Sequence, residues 1–182
     1  MLYIGVDPGA KGYLCLLEKT DSPIFVSLDP KKHTADTIVN ALQTEIDGRP
    51  ALAAIEDVHS IYGMSAKSNF MFGGMVWRAR TILECCGLEY DMVQPKVWQK
   101  ATGIPARKDL PDGTDLKTAV ADIAQQLYPA AVLHGPKGGL LDGRSDALMI
   151  AHYLKLQFGG WHALQANNAG STSLVPENPG TE

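Results

Sequence analysis

The chain has 182 residues, 45% hydrophobic and 20% charged, enough for one α/β domain with a substantial core and too few for a second full one. No run of about 18 apolar residues and no charged-then-apolar leader is present, which argues against a membrane span or a signal peptide and predicts an intracellular protein. The net charge of −4 argues against a protein that coats nucleic acid through a long-range positive field, but it suits one that gathers carboxylates around metal ions.

Leu2 to Asp7 reads as a short buried strand ended by a turn at Pro8, Gly9, Lys11 and Gly12. Strands at Tyr13–Leu17 and Ile24–Leu28 follow, so the first three predict an antiparallel meander. Thr34 is a candidate N-cap for a helix in which Ile38, Val39, Leu42 and Ile46 recur until Gly48 and Pro50 stop it. Ala51–Ile55 is a fourth strand, and the helical crossover into it predicts a parallel neighbour.

Ser65 to Cys86 carries the longest helical pattern, with Phe70, Trp77, Ile82 and Leu83 among its apolar positions. Gly73 and Gly74 inside it cost about 1 kcal/mol each relative to alanine. A close approach by another backbone would compensate, either from a second copy of the chain or from this chain's own sheet. Tyr90–Val93 is a fifth strand. After it come a short helical piece near Trp98, a loop through Gly113, a helix from Asp115 to Leu127, and a last helix from Asp142 to about Phe158. These elements predict an α/β fold with a mixed five-stranded sheet flanked by helices over residues 1–158. Residues 159–182, rich in Gly, Asn, Ser, Thr and Pro, read as a flexible tail. Cys15, Cys85 and Cys86 lack zinc-knuckle spacing and read as reduced core or interface residues.

Hydrolysis of a phosphodiester must bring a nucleophile to an anion and stabilise a leaving oxygen. Two divalent ions about 3.5–4 Å apart do both, and hard cations need oxygen ligands. Asp7 and Glu56 each stand where a strand leaves the sheet, so neighbouring strands would aim them at one spot. Asp142 and Asp146, four residues apart, share a helix face that could reach it. Each has a bland alternative: Asp7 as a turn residue, Asp142 as a helix N-cap. Asp146, within an otherwise apolar face, is better explained as a ligand. Lys96, Lys100, Arg107, Lys108 and Lys117 form a basic stretch interrupted by Asp109, Asp112 and Asp115, so it reads either as a DNA track or as a solvated surface.

Tyr3-Ile4-Gly5-Val6-Asp7-Pro8-Gly9, Ala54-Ile55-Glu56-Asp57-Val58, Thr102-Gly103, Lys117 followed by Ala119, and Asp142-Gly143-Arg144-Ser145-Asp146-Ala147-Leu148 resemble the RuvC Holliday junction resolvases. Ser65-Ala66-Lys67-Ser68-Asn69-Phe70 leading to Gly73-Gly74 is most similar to their compact phage-type branch. The resemblance, collinear over about residues 2–157, implies an RNase H-like fold, a cytoplasmic protein of a bacterial or phage-infected cell, and a homodimer paired through the helix with Gly73 and Gly74. It also implies nicking of four-way junctions with magnesium or manganese, two ions per site. By position, Asp7, Glu56 and Asp146 match metal-binding acids. The family's fourth acid falls on Gly143, and Asp142 is its substitute. Tyr62, in the loop with His59 and Ile61, matches an aromatic that disrupts base stacking at the junction. Lys117 matches, and Lys100 approximates, the basic residues near the scissile phosphate. Arg144 is placed to do likewise, or to pair with Asp142. Lys67, Arg107 and Lys108 complete the expected DNA-contacting set.

Three alternatives stay open at this point. One is a less selective branched-DNA or flap nuclease. Another is an actin-like nucleotide binder using Asp7-Pro8-Gly9-Ala10-Lys11-Gly12 as a phosphate loop. The third is an inactive DNA-binding subunit.

Overall fold

Five strands hydrogen-bond in the order β3-β2-β1-β4-β5 in the computed structural model, which describes residues 1–18, 22–59 and 63–169, the last ten by backbone only. The strands are β1 (Leu2–Asp7), β2 (Tyr13–Leu17), β3 (Ile24–Ser27), β4 (Ala51–Glu56) and β5 (Tyr90–Val93). The first three form the expected antiparallel meander, and β4 and β5 add in parallel. The β1–β2 turn is tight: Gly12 donates its N–H to Gly9 O at 2.8 Å, and a Cβ on Gly12 would overlap the backbone of Asp7 and Gly9.

The helices are α1 (Ala35–Ile46), α2 (Ala66–Cys85), α3 (Pro95–Ala101), α4 (Leu116–Leu127) and α5 (Asp142–Ala169). Thr34, Ser65 and Asp115 cap α1, α2 and α4, each accepting a hydrogen bond from the backbone N–H three residues on. A single 3-10 turn at Arg107–Asp109 interrupts the loop before α4. The last helix passes its expected end at Phe158 and runs on to Ala169, so glycines 159 and 160 lie inside it. Residues 170–182 lie outside the described residues.

Strand alternation divides the core in two. Leu2, Ile4, Val6, Ala53 and Ile55 pack with Ile38 and Leu42 of α1 and with Met75, Ala79, Ile82 and Leu83 of α2. Tyr3, Ala54 and Val93 pack on the other face with Trp98 of α3, Val120 and Ala124 of α4, and Ala147, Leu148 and Ala151 of α5. Gly5 lets α5 reach the sheet: a Cβ there would overlap Ala147 O and Ala151 N.

The apolar positions of α2 do not form one face. Ile82 and Leu83 are buried, but Phe70 is 81% and Trp77 61% exposed, on the opposite side of the helix. A Cβ at Gly73 or Gly74 would meet nothing within 4 Å, so these glycines do not serve to admit α2 against the sheet. Of the cysteines, Cys15 is buried, but Cys85 is exposed on α2 and is no core residue.

Candidate active site

Asp7 ends β1 and Glu56 ends β4, and the parallel register pairs Val6 with Ile55 immediately before them. Counting by twos from Gly5 and Ala54, both acids fall on the sheet face covered by α5. Asp142 and Asp146 occupy the first turns of α5. Gly143 between them brings the helix start against Asp7: a Cβ there would stand 2.8 Å from Asp7 Oδ2 and 2.9 Å from Lys11 O. The space that a side chain at position 143 would need is therefore already taken by the aspartate of β1.

Each of the four carboxylates is partly buried, and three are tied to named neighbours. Asp7 Oδ1 accepts the Gly9 N–H at 3.1 Å. Glu56 Oε1 accepts the indole N–H of Trp98 at 3.1 Å. Asp142 pairs with Lys117, the second residue of α4. Burial is the leading cause that pushes the Asp7 carboxyl up to about 6, opposed by the Gly9 hydrogen bond and reinforced by the Asp142 charge. Glu56 is pushed up to about 7 by burial and then by Asp7, against the pull of Trp98. Asp146 is pushed up to about 8 by burial and then by Asp7, Glu56 and Asp142, with Lys117 opposing. The Lys117 ammonium is raised by its hydrogen bond to Asp142.

Like charges held this close call for a counter-charge. The donor set is all carboxylate oxygen, which fits hard divalent cations such as magnesium or manganese. Among the described residues, however, no three His, Cys, Asp or Glu side chains stand as a ready-made ligand shell around one point. The fold brings the acids into one neighbourhood without closing them on an ion.

The other expected residues distribute unevenly. Lys100, at the end of α3, and Arg107, in the 3-10 turn, line one cavity together with Lys96, and Lys108 is exposed beside Arg107. Lys67 is exposed in the first turn of α2, in the helix layer on the sheet's other face. Arg144 does not pair with Asp142. Its guanidinium lies over the rings of Tyr13 and Phe25 at 5.0 and 5.2 Å and donates to Val132 O at 2.7 Å. Asp142 is already engaged by Lys117, and the aromatic pair on β2 and β3 offers the cation a drier contact. Tyr62 and Ile61 lie outside the described residues, whereas His59 is exposed, 3.7 Å from Asp57.

Sequence reasoning missed Trp98 as part of the site. The available signal is chemical: a tryptophan buried to 1% exposure still carries one N–H that needs an acceptor, and the acid ending β4 is one. The Trp98→Phe variant keeps the ring packing and removes that donor. We expect the Glu56 carboxyl to rise further, so that its titration, followed by NMR, moves to higher pH. An unmoved titration in a folded variant would deny Trp98 a positioning role.

No protein-family model and no curated protein matches this sequence. Its fold is similar to that of Thermus thermophilus RuvC in complex with a Holliday junction substrate, with a TM-score of 0.53 and 16% identity over 87% of this chain and 97% of that one. A second structure of Thermus thermophilus RuvC aligns over 86% of this chain and 97% of that one at 17% identity, with a TM-score of 0.49. The mixed five-stranded sheet flanked by helices is the RuvC-like, RNase H-like arrangement.

Proposed function

We propose that this chain is a divalent-metal-dependent endonuclease that resolves four-way DNA junctions as a homodimer, in the manner of the phage-type resolvases. One observation carries the reading: four acids from β1, β4 and α5 share one neighbourhood at one end of the sheet, where three hold their carboxyls well above the usual range. The fold similarity to a junction-bound resolvase supports the choice of substrate.

Asp7, Glu56 and Asp146 would hold the metal ions, with Asp142 completing the ligand set. Bound there, two magnesium or manganese ions supply the Lewis acidity that activates water and stabilises the departing oxygen. The chain's own residues prepare the ground. Trp98 engages one oxygen of Glu56 and fixes its orientation. Lys117 steadies Asp142 and carries a positive charge that can turn to a phosphate oxygen as charge develops. Gly143 lets the start of α5 seat close against Asp7, with no side chain in the way. The Asp7–Gly12 turn is poorly suited to a nucleotide phosphate, because Gly9 and Gly12 already give their N–H groups to Asp7 Oδ1 and Gly9 O.

The test is incubation of the full chain with a synthetic mobile four-way junction, a flap and a replication fork at equal concentration, with and without magnesium, mapping nicks on all strands. Paired nicks on symmetrically related strands of the junction, only with metal, are expected. Equal cutting of all three substrates points to a general debranching nuclease, and absence of cutting to a binding subunit. Among the described residues no helix is long and apolar enough to cross a membrane; a cytoplasmic location is part of the same proposal.

The homodimer rests on α2. Phe70, Gly73, Gly74 and Trp77 fall on one exposed face, opposite the buried one, and Arg80 stacks over Trp77 at 4.3 Å. Large apolar side chains flanking two open glycines suit the close approach of a second α2. The double variant F70E/W77E is expected to turn a dimer into a monomer by sedimentation while keeping its helical content. A wild-type monomer at the concentrations used for cleavage would sink the assignment.

A further inference from the structure

A cavity of about 790 Å³ opens between α3 and the start of α4, within the size range of sites that hold small molecules. Its apolar wall includes Ile104, Pro105 and Leu116, and Lys96, Lys100 and Arg107 also line it. Among the described residues none of these three cations forms an ion pair, and all three are exposed. The groove is built from the two elements that deliver side chains to the acids. α3 presents Trp98 to Glu56, and Leu116 immediately precedes Lys117, the partner of Asp142. The groove and the acids are therefore served by the same two elements.

We infer that the groove is a subsite for one unstacked nucleotide of the branched DNA, an assignment that rests on the nuclease reading above. The base enters among Ile104, Pro105 and Leu116, and the flanking phosphates meet Lys96, Lys100 and Arg107. An apolar slot beside clustered cations matches what an unpaired nucleotide offers, a flat ring and an anionic link, and a paired base cannot enter without leaving its stack. An acidic peptide with an apolar side chain presents comparable chemistry. That α3 and the start of α4 both line the groove and supply Trp98 and Lys117 to the acids favours the nucleic acid.

The experiment titrates isotope-labelled full-length protein with pentathymidylate and, separately, with a Glu- and Phe-containing peptide of equal charge, following backbone amides by NMR. The junction-nicking assay is run in parallel. Pentathymidylate should shift the amides of Gln99, Gly103, Ala106 and Leu116. Ala106→Trp, which fills the slot from an exposed position, should weaken junction binding about tenfold or more. The K96Q/K100Q/R107Q variant should lower the salt dependence of junction binding by roughly two to three counterions. Shifts caused by the peptide and not by the oligonucleotide overturn the assignment in favour of a protein partner, and shifts with neither overturn it outright. Junction cutting without groove shifts removes the subsite and leaves the nuclease. Groove shifts without cutting remove the nuclease and leave a nucleotide-binding groove.

Discussion

The Asp7→Asn variant is expected to lose metal-dependent cutting by on the order of a thousandfold or more, the scale on which preorganised charges act at a transition state. The substitution is close to isosteric. The Asn Oδ1 can still accept the Gly9 N–H, so the β1–β2 turn keeps its 3.1 Å hydrogen bond. What disappears is the charge that bears on both Glu56 and Asp146. Junction affinity should stay nearly unchanged, because phosphate contacts come from the basic side chains. The variant should also melt at a higher temperature than the parent at pH 8 without metal, having shed one of several crowded like charges. Cutting at the parental rate would remove Asp7 from the chemistry. A lower melting temperature would mean that the loss of activity reflects damage to the fold.

Without divalent ions, stability should fall steadily as pH rises from about 4 to about 8. The folded carboxyls of Asp7, Glu56 and Asp146 hold protons up to about 6, 7 and 8, whereas their unfolded counterparts release them near the ordinary carboxylate values. Between those limits the native state binds more protons than the unfolded state, and stability must then decrease with increasing pH. The stabilisation is complete below about pH 4 and lost once pH passes the highest folded value. A single group displaced as far as Asp7 corresponds to on the order of 3 kcal/mol, or about 10 °C in melting temperature for a chain this size. Millimolar magnesium should flatten the profile, because cations take over the role of the protons. Thermal melts at half-unit pH intervals, with EDTA or with magnesium, measure both slopes. A metal-free melting temperature that rises from pH 5 to 8 would contradict the crowding of these acids.

Much of this arrangement was legible in the sequence because it depends on short-range rules. Alternation and turn chemistry located all five strands, and Thr34, Ser65 and Asp115 marked helix starts. Asp7 and Glu56 were legible as strand-end acids, and the β1–β4 pairing supplies the adjacency that the sequence left as a condition. Two features resisted because they are set by contacts between distant elements, and a third, the length of α5, ran against composition. Arg144 lies one residue beyond Gly143 and two beyond Asp142, yet its partners are Tyr13, Phe25 and Val132, which no local pattern indicates. The indole of Trp98 reaches an acid 42 residues earlier. Helix α5 continues through two glycines to Ala169, where composition argued for coil.

The spacing between the two halves of the acid set follows from a contact that involves no side chain at all. Because a bare main-chain segment at position 5 lies directly beneath the carbonyl of Ala147, the separation of the strand that carries Asp7 from the helix that carries Asp146 is set by two backbones in contact. One methyl group added at that point would act as a wedge, lifting the helical pair of acids from the strand pair by about the thickness of an atom. An acid cluster gauged in this way keeps its dimension while the seat on which the helix rests is unaltered.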